Sequence, residues 1–346
     1  MRLPGFPALL TLFALITAPS ATAFEIEGER LFETGTGATT LRVISTADLE
    51  IFAPLIGAFQ AENPNLNVHY TLVGSSELMR ALYNEGAQFD VAISSAMDLQ
   101  TKLANDGFAR TYRSTQTTAL PDWARWRDQV FSFTQEPAVL IVSRKSLDGL
   151  EMPVNRQDLI SLLRDNPDRF NGRIGTYDIR QSGLGYLFAT QDSRNSDSFW
   201  RLTEVMGRLD AKLYCCSGEM IADVARGDLA LAYNVLGSYA TSRLETESGL
   251  DLVLLEDYST VMLRTVLIPA TAERVVEAGT FVDFLTASQT RPLISQLTGL
   301  PPLDPDAIAG QAAFRPIRLG PGLLVYLDQI KRETFLREWT SAIDQP

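Results

Sequence analysis

The stretch GRIGTYDIRQSGLGYLFATQDS (172–193), followed by KLYCCSGEMIADVARGDLALAYNVLGSYA (212–240), decides the fold class. Twice a short β-rich run ends in a Ser/Gly turn that opens a helical pattern, at Ser182-Gly183 and at Ser217-Gly218. A third run, 229–232, leads into the polar pair Tyr233-Asn234. Turns of this kind offer backbone N–H groups and hydroxyls to a small, usually anionic ligand.

The N-terminal part repeats the pattern. Residues 41–44 (LRVI) read as a strand and Ser45-Thr46 as a helix start, with Asp48 three residues on as in a capping box. Leu49, Phe52, Leu55, Ile56 and Phe59 then keep helical spacing until Asn63-Pro64 stops it. Residues 67–73 alternate like a strand, Gly74-Ser75-Ser76 starts a helix, and 89–93 (FDVAI) is a short buried strand ending at Ser94-Ser95. Strand–turn–helix alternation predicts an α/β chain with a mostly parallel sheet. In such sheets ligands sit beyond the carboxyl ends of the strands. That nominates Ser45, Thr46, Ser75, Ser76, Ser94 and Ser95, each of which also reads as a simple helix cap.

Composition narrows the class. Residues 1–23 combine Arg2, an apolar run from Leu9 to Ile16 and the small-residue site Ala21-Thr22-Ala23, the pattern of a cleaved export signal. The apolar run is too short to span a bilayer. A chain of 346 residues exceeds one comfortable core, so two domains are expected. The formal net charge of −12, with no basic run, argues against nucleic acid as a partner. The only cysteines, Cys215 and Cys216, are adjacent. After export they read either as a vicinal disulfide or as two thiols. Metal binding is disfavoured, because adjacent thiolates lack ligand spacing.

Residues 137–143 (PAVLIVS) and 261–269 (VMLRTVLIP) are continuous apolar strands that read as connections between domains. The expected division is 24–137 with 261–346 in one lobe and 138–260 in the other. Arg264 interrupts the second run, either at an exposed edge or facing the cleft between domains.

The order of these segments resembles the extracellular solute-binding proteins of bacterial ABC transporters, in particular the ferric-ion-binding and related small-anion-binding group. The likeness rests on residues 41–60, 89–95 (FDVAISS), 170–186 (FNGRIGTYDIRQSGLGY), 224–234 (VARGDLALAYN), 264–270 (RTVLIPA) and 281–285 (FVDFL). It implies a two-lobed "Venus flytrap" of the periplasmic-binding type, each lobe a mostly parallel sheet flanked by helices. It also implies a periplasmic monomer that closes on a solute and delivers it to a membrane permease. Ligand contacts are then expected from Ser45-Thr46, Ser75-Ser76 and Ser94-Ser95 on one lobe. The other lobe would supply Arg180, Gln181, Ser182, Gly183, Ser217, Gly218, Tyr233 and Asn234.

The sequence departs from the iron-binding members where they carry a Tyr-Tyr pair. The matching region here runs Asn234-Val235-Leu236-Gly237-Ser238-Tyr239, and Tyr233 and Tyr239 stand too far apart to converge. A small anion is therefore the expected cargo, with ferric iron the lesser alternative and no cofactor or metal. Arg180 is the candidate for the ligand's charge, because arginine pairs with carboxylate or phosphate through two parallel hydrogen bonds. Its other reading is a surface partner of Asp178.

Enzyme signatures are missing. The one histidine, His69, lies in the strand pattern NVHYTLV, and no nucleophile elbow, P-loop, dinucleotide fingerprint or zinc-protease motif occurs. Trp123 and Trp126 read as packing residues at a helix start. Two binding roles remain, a transport receptor and a sensor that presents its ligand to a membrane kinase. The amphipathic segment 314–339 serves either as a partner-docking surface or as packing on the first lobe.

Overall fold

Three strands that the sequence marks by their apolar content, Thr39–Ser45, Leu66–Leu72 and Val91–Ser94, lie parallel with Thr39–Ser45 in the middle. They were found in a computed structural model that describes residues 23–244 and 248–345. The expected export signal lies outside the described residues except for Ala23. The strand Gly28–Phe32 closes one edge, antiparallel to Leu66–Leu72. Helix Leu49–Glu62 buries Phe52, Leu55, Ile56 and Phe59 against the sheet, the spacing read from the sequence. It starts later than expected. Asp48 is its N-cap and makes no side-chain cap bond, while the Ser45 hydroxyl accepts from the Ala47 N–H at 3.0 Å.

Strand Val130–Ser143 joins the two halves of the molecule. Its 14 residues are almost all buried, as in a strand covered on both faces. From Phe131 to Pro137 it pairs antiparallel with Ser259–Leu267, which in turn pairs with Val91–Ser94. From Ala138 to Val142 it pairs with Leu231–Leu236 instead. The exchange of partners falls at Pro137, whose missing N–H cannot serve a continuous ladder. Beyond it, Leu231–Leu236, Ile174–Tyr177 and Lys212–Tyr214 form the second half-sheet, parallel to one another. Helices Gly183–Asn195, Ser198–Arg208 and Ser217–Arg226 follow its strands, and the last ends at Gly227 with φ 83°, a left-handed cap.

Three expectations are corrected here. Trp123 and Trp126 do not start a helix: Asp122–Ala124 is a 3-10 turn and Arg125–Trp126 a short strand. Tyr233 and Asn234 do not follow a strand but lie inside Leu231–Leu236. The strand accommodates them through a register irregularity opposite Val139 and Ile141, with Asn234 at φ 62°. Finally, residues 261–346 do not all stay with the first half. Strand Phe314–Pro316 pairs with Ser259–Leu267, but helix Gln329–Ile343 packs on the second half. There Phe335, Trp339 and Ile343 join Phe199, Leu202 and Met206 in one core. The amphipathic face predicted in 314–339 is thus used internally.

That docking depends on Gly207. A Cβ at this position would stand 2.4 Å from the Ala342 carbonyl oxygen and 2.7 Å from that of Ile343, both backbone atoms that cannot swing aside. Gly207→Ala is expected to lower stability by about 2 kcal/mol through overpacking. A thermal melt followed by tryptophan fluorescence should show it. An unchanged melting temperature would mean that the last helix is not held at this contact.

Candidate functional site

Between the half-sheets lies a cavity of about 330 Å³ at the carboxyl ends of the parallel strands. The first half contributes Glu27, Thr46, Asp48, Val73, Gly74, Ser75 and Ser95 to its walls. The second contributes Tyr177, Ser182, Leu184, Cys215, Cys216, Ser217, Gly218, Glu219, Leu236 and Tyr239.

Both walls are built by strand-to-helix turns. On the first, the Thr46 hydroxyl accepts from the Ser95 N–H at 3.1 Å and holds two neighbouring turns together. On the second, Ser182 caps helix Gly183–Asn195 by accepting from the Gly185 N–H at 3.1 Å. The Ser217 hydroxyl accepts from the Leu236 N–H at 2.9 Å and lies 2.6 Å from the Tyr177 hydroxyl. The N-cap of helix Ser217–Arg226 is Cys216, which gives no side-chain cap bond. The first-turn N–H groups there have no partner within the helix and adjoin the cavity through Ser217, Gly218 and Glu219.

Hydrogen bonds also cross the cleft. The Ser76 hydroxyl donates to the Gln181 carbonyl at 2.6 Å, and the Leu184 N–H donates to the Ser75 hydroxyl at 3.2 Å. The Asp48 N–H donates to the Tyr239 hydroxyl at 3.3 Å. Gly183 faces the same seam: a Cβ there would meet Leu99 Cδ1 at 2.8 Å and Ser75 Oγ at 2.9 Å.

Of the residues nominated from sequence, the structure brings Thr46, Ser75, Ser95, Ser182, Ser217 and Gly218 to the cavity wall. Ser76, Gln181 and Gly183 sit beside it on the seam. Ser45 and Ser94 point into their own turns, each accepting from a backbone N–H two residues on. Arg180, Tyr233 and Asn234 are engaged elsewhere. Arg180 binds both carboxylate oxygens of Asp178, at 2.8 and 2.9 Å, and reaches Asp344 at 2.8 Å, with its guanidinium over Trp339. The Tyr233 hydroxyl donates to Asp192 and accepts from Arg156, both at 2.8 Å, and Asn234 donates to the same Asp192. Tyr233 and Tyr239 therefore do not converge.

Arg264 is not an exposed edge residue. It is fully buried and paired with Glu136 at 3.0 and 3.1 Å. His69 pairs with Glu29 at 2.9 Å on the outer strands. Cys215 and Cys216 are joined by a disulfide.

Sequence reasoning missed the charge of the cavity. Among the described residues, its ionisable carboxyls are Glu27, Asp48 and Glu219, and no lysine or arginine lines it. Partial loss of water raises the Glu27 carboxyl above its ordinary range, and repulsion from Asp48, Glu25 and Glu219 raises it further. Asp48 is raised by the same loss of water, against the pull of Arg264. Asp48 and Glu219 lie within two or three residues of turns the sequence had flagged. Glu27 precedes the first strand and gave no signal. Among the described residues, no group of three or more His, Cys, Asp or Glu side chains is arranged to hold a metal ion, and no helix is long and apolar enough to cross a membrane.

Comparison with known proteins agrees with this architecture. The family described as "Bacterial extracellular solute-binding protein" matches residues 41–296. The substrate-binding protein of an ABC transporter from Agrobacterium tumefaciens is 32% identical, covering 91% of this chain and 98% of its own, with a TM-score of 0.87. AfuA from Actinobacillus pleuropneumoniae, solved with fructose-6-phosphate, is 16% identical over 90% of this chain and 100% of its own, with a TM-score of 0.72. Iron-bound HitA from Pseudomonas aeruginosa is 16% identical over 88% and 99%, with a TM-score of 0.68. No curated protein matches the sequence. The proteins of this group are transport receptors, not enzymes. With its α/β architecture, its interlobe cavity and a family match across most of its length, the chain belongs to the bacterial extracellular solute-binding proteins.

Proposed function

We propose that the protein works as a periplasmic monomer, captures a small polar solute bearing a cationic group in the cavity between its halves, and delivers it to the membrane permease of an ABC transporter. The observation that carries the charge assignment is the wall itself. Glu27, Asp48 and Glu219 face one cavity with no basic side chain among its lining residues. Carboxylates that repel one another across a partly dry space are stabilised by an opposite charge placed among them.

The anionic solute expected from the sequence had Arg180 as its anchor, and that guanidinium is occupied by Asp178 and Asp344. What remains for an anionic group is the open first turn of helix Ser217–Arg226. A zwitterion, with its ammonium toward the carboxylates and its acid toward that turn, uses both features. Iron and fructose-6-phosphate are ligands of relatives about 16% identical, and they bear on the fold rather than on this cargo. The sensing alternative, which shares the fold and the cleft, gains no docking surface from segment 314–339, whose apolar face is buried internally.

A thermal-shift and calorimetric panel of lysine, choline, putrescine, spermidine, inorganic phosphate and fructose 6-phosphate tests the reading. At least one cationic compound should bind, and Asp48→Asn should weaken it about ten-fold, the scale of one charge-assisted contact. Acidification should weaken it too, since the raised Glu27 and Asp48 carboxyls lose charge first. Binding of phosphate or the sugar phosphate alone, unaffected by Asp48→Asn, would overturn it.

A further inference from the structure

We infer that the Cys215–Cys216 disulfide is a working part of the solute site, and that its reduction lowers solute affinity. The inference rests on the cavity being the binding site, as proposed above. Both cysteines line the cavity, Cys215 exposed and Cys216 half-buried. They form the whole link between strand Lys212–Tyr214 and helix Ser217–Arg226. Tyr214 is fixed on one side by its pairing with Tyr177, and Ser217 on the other by its bonds to Tyr177 and the Leu236 N–H.

A bond between adjacent side chains closes a small ring over the intervening peptide and removes most of its rotational freedom. In a two-residue link this sets how the first turn, with Gly218 and Glu219, meets the cavity. Cys215 Sγ lies 3.6 Å from Glu219 Oε2, so the ring also borders one of the three carboxylates. The sulfurs add a polarizable apolar surface to the few apolar side chains of the wall, Val73, Leu184 and Leu236. That surface suits the carbon skeleton of a solute whose charged group meets the carboxylates.

The redox step balances with a dithiol as the partner. One thiolate of the dithiol attacks a sulfur of the pair and forms a mixed disulfide, releasing the other cysteine as thiolate, which takes up a proton. The second thiol of the reagent then displaces the remaining cysteine. The protein gains two hydrogens and the dithiol becomes a cyclic disulfide. With the ring opened, the link regains rotamers that binding must freeze again, so affinity falls. Linkage makes the effect reciprocal: bound solute must shift the equilibrium of the pair toward the disulfide by the same factor.

The test compares the protein purified without reductant, the same protein treated with dithiothreitol, and Cys215→Ala/Cys216→Ala. Mass spectrometry of the unreduced peptide should show the loss of two hydrogens; free thiols there would end the proposal. Lysine, choline, putrescine and spermidine are then titrated into each form. A probe that binds the oxidised protein should bind the reduced and double-alanine forms about ten-fold more weakly, as loss of preorganisation predicts. At equilibrium with dithiothreitol, it should also shift the pair toward the disulfide by the same factor. Equal affinity in all three forms would overturn the inference. Should none of the four probes bind the oxidised protein, the cationic assignment fails. Hydrogen exchange of residues 214–219 then decides, with faster exchange on reduction expected and identical exchange overturning the role of the disulfide.

Discussion

Arg264→Leu is expected to cost about 3–5 kcal/mol of folding stability, and adding Glu136→Leu to recover most of that loss. The two side chains are fully buried on the paired strands that join the halves of the molecule. The guanidinium donates to both carboxylate oxygens, while Thr134 and Ser238 donate to the same carboxylate. Removing the arginine alone leaves the buried Glu136 carboxylate without its counter-charge, whereas removing both charges strands only the Thr134 and Ser238 hydroxyls, at smaller cost. Urea unfolding of the two variants separates the cases. A single mutant that loses less than about 1 kcal/mol, the range of an exposed pair, would show that the site is wetter than the structure has it. Ser238 belongs to helix Gly237–Leu244 of the second half, so the single mutant should also loosen that helix from the connecting strand.

Asp98 sets the second large effect. It lies in the first turn of helix Met97–Asn105, almost wholly buried, with Oδ1 lacking any hydrogen-bond partner. Burial pushes its carboxyl up to about 7, against the pull of the Leu99 and Asp98 N–H groups and of Arg332. The ordinary value is 3.8, so the native state holds this proton more tightly than the unfolded chain does. Stability therefore falls as pH rises through the window from about 4 to about 7, by up to about 4 kcal/mol for a shift of that size. Below the window the group costs nothing, and above it the whole penalty is present. Asp98→Asn should remove the slope, raising stability by about 2–4 kcal/mol at pH 8 and leaving it unchanged near pH 4. Parallel profiles for the two proteins across that range would show that another group carries the dependence.

What the sequence revealed was local, or repeated at the spacing of one element. The turns at Ser75, Ser182 and Ser217 declared themselves because a Ser or Gly stands where a strand pattern gives way to a helical one. The joining strands were visible as unbroken apolar runs, since burial on both faces leaves no polar alternation. Features set by distant partners were hidden. Arg180 looked free because one of its carboxylates, Asp344, is 164 residues away. Tyr233 and Asn234 looked like a strand end because Asp192, which lets them continue the strand, is 41 and 42 residues away. The face of helix Gln329–Ile343 was evident from its periodicity, but periodicity names a face and not the surface that covers it. The acidity of the cavity is of the same kind: Glu27, Asp48 and Glu219 come from three separate segments, and only the fold sums their charge.

The path of the chain gives the molecule two handles. Near its start, the chain is fastened to the first half, with the Phe24 and Glu25 N–H groups bound by Glu85 and Glu77. Its last helix is fastened to the second half through Phe335 and Trp339. A pull applied between the ends therefore acts across the cleft rather than along a sheet. Dyes attached near the two ends would report, by energy transfer, any change in the distance between the halves.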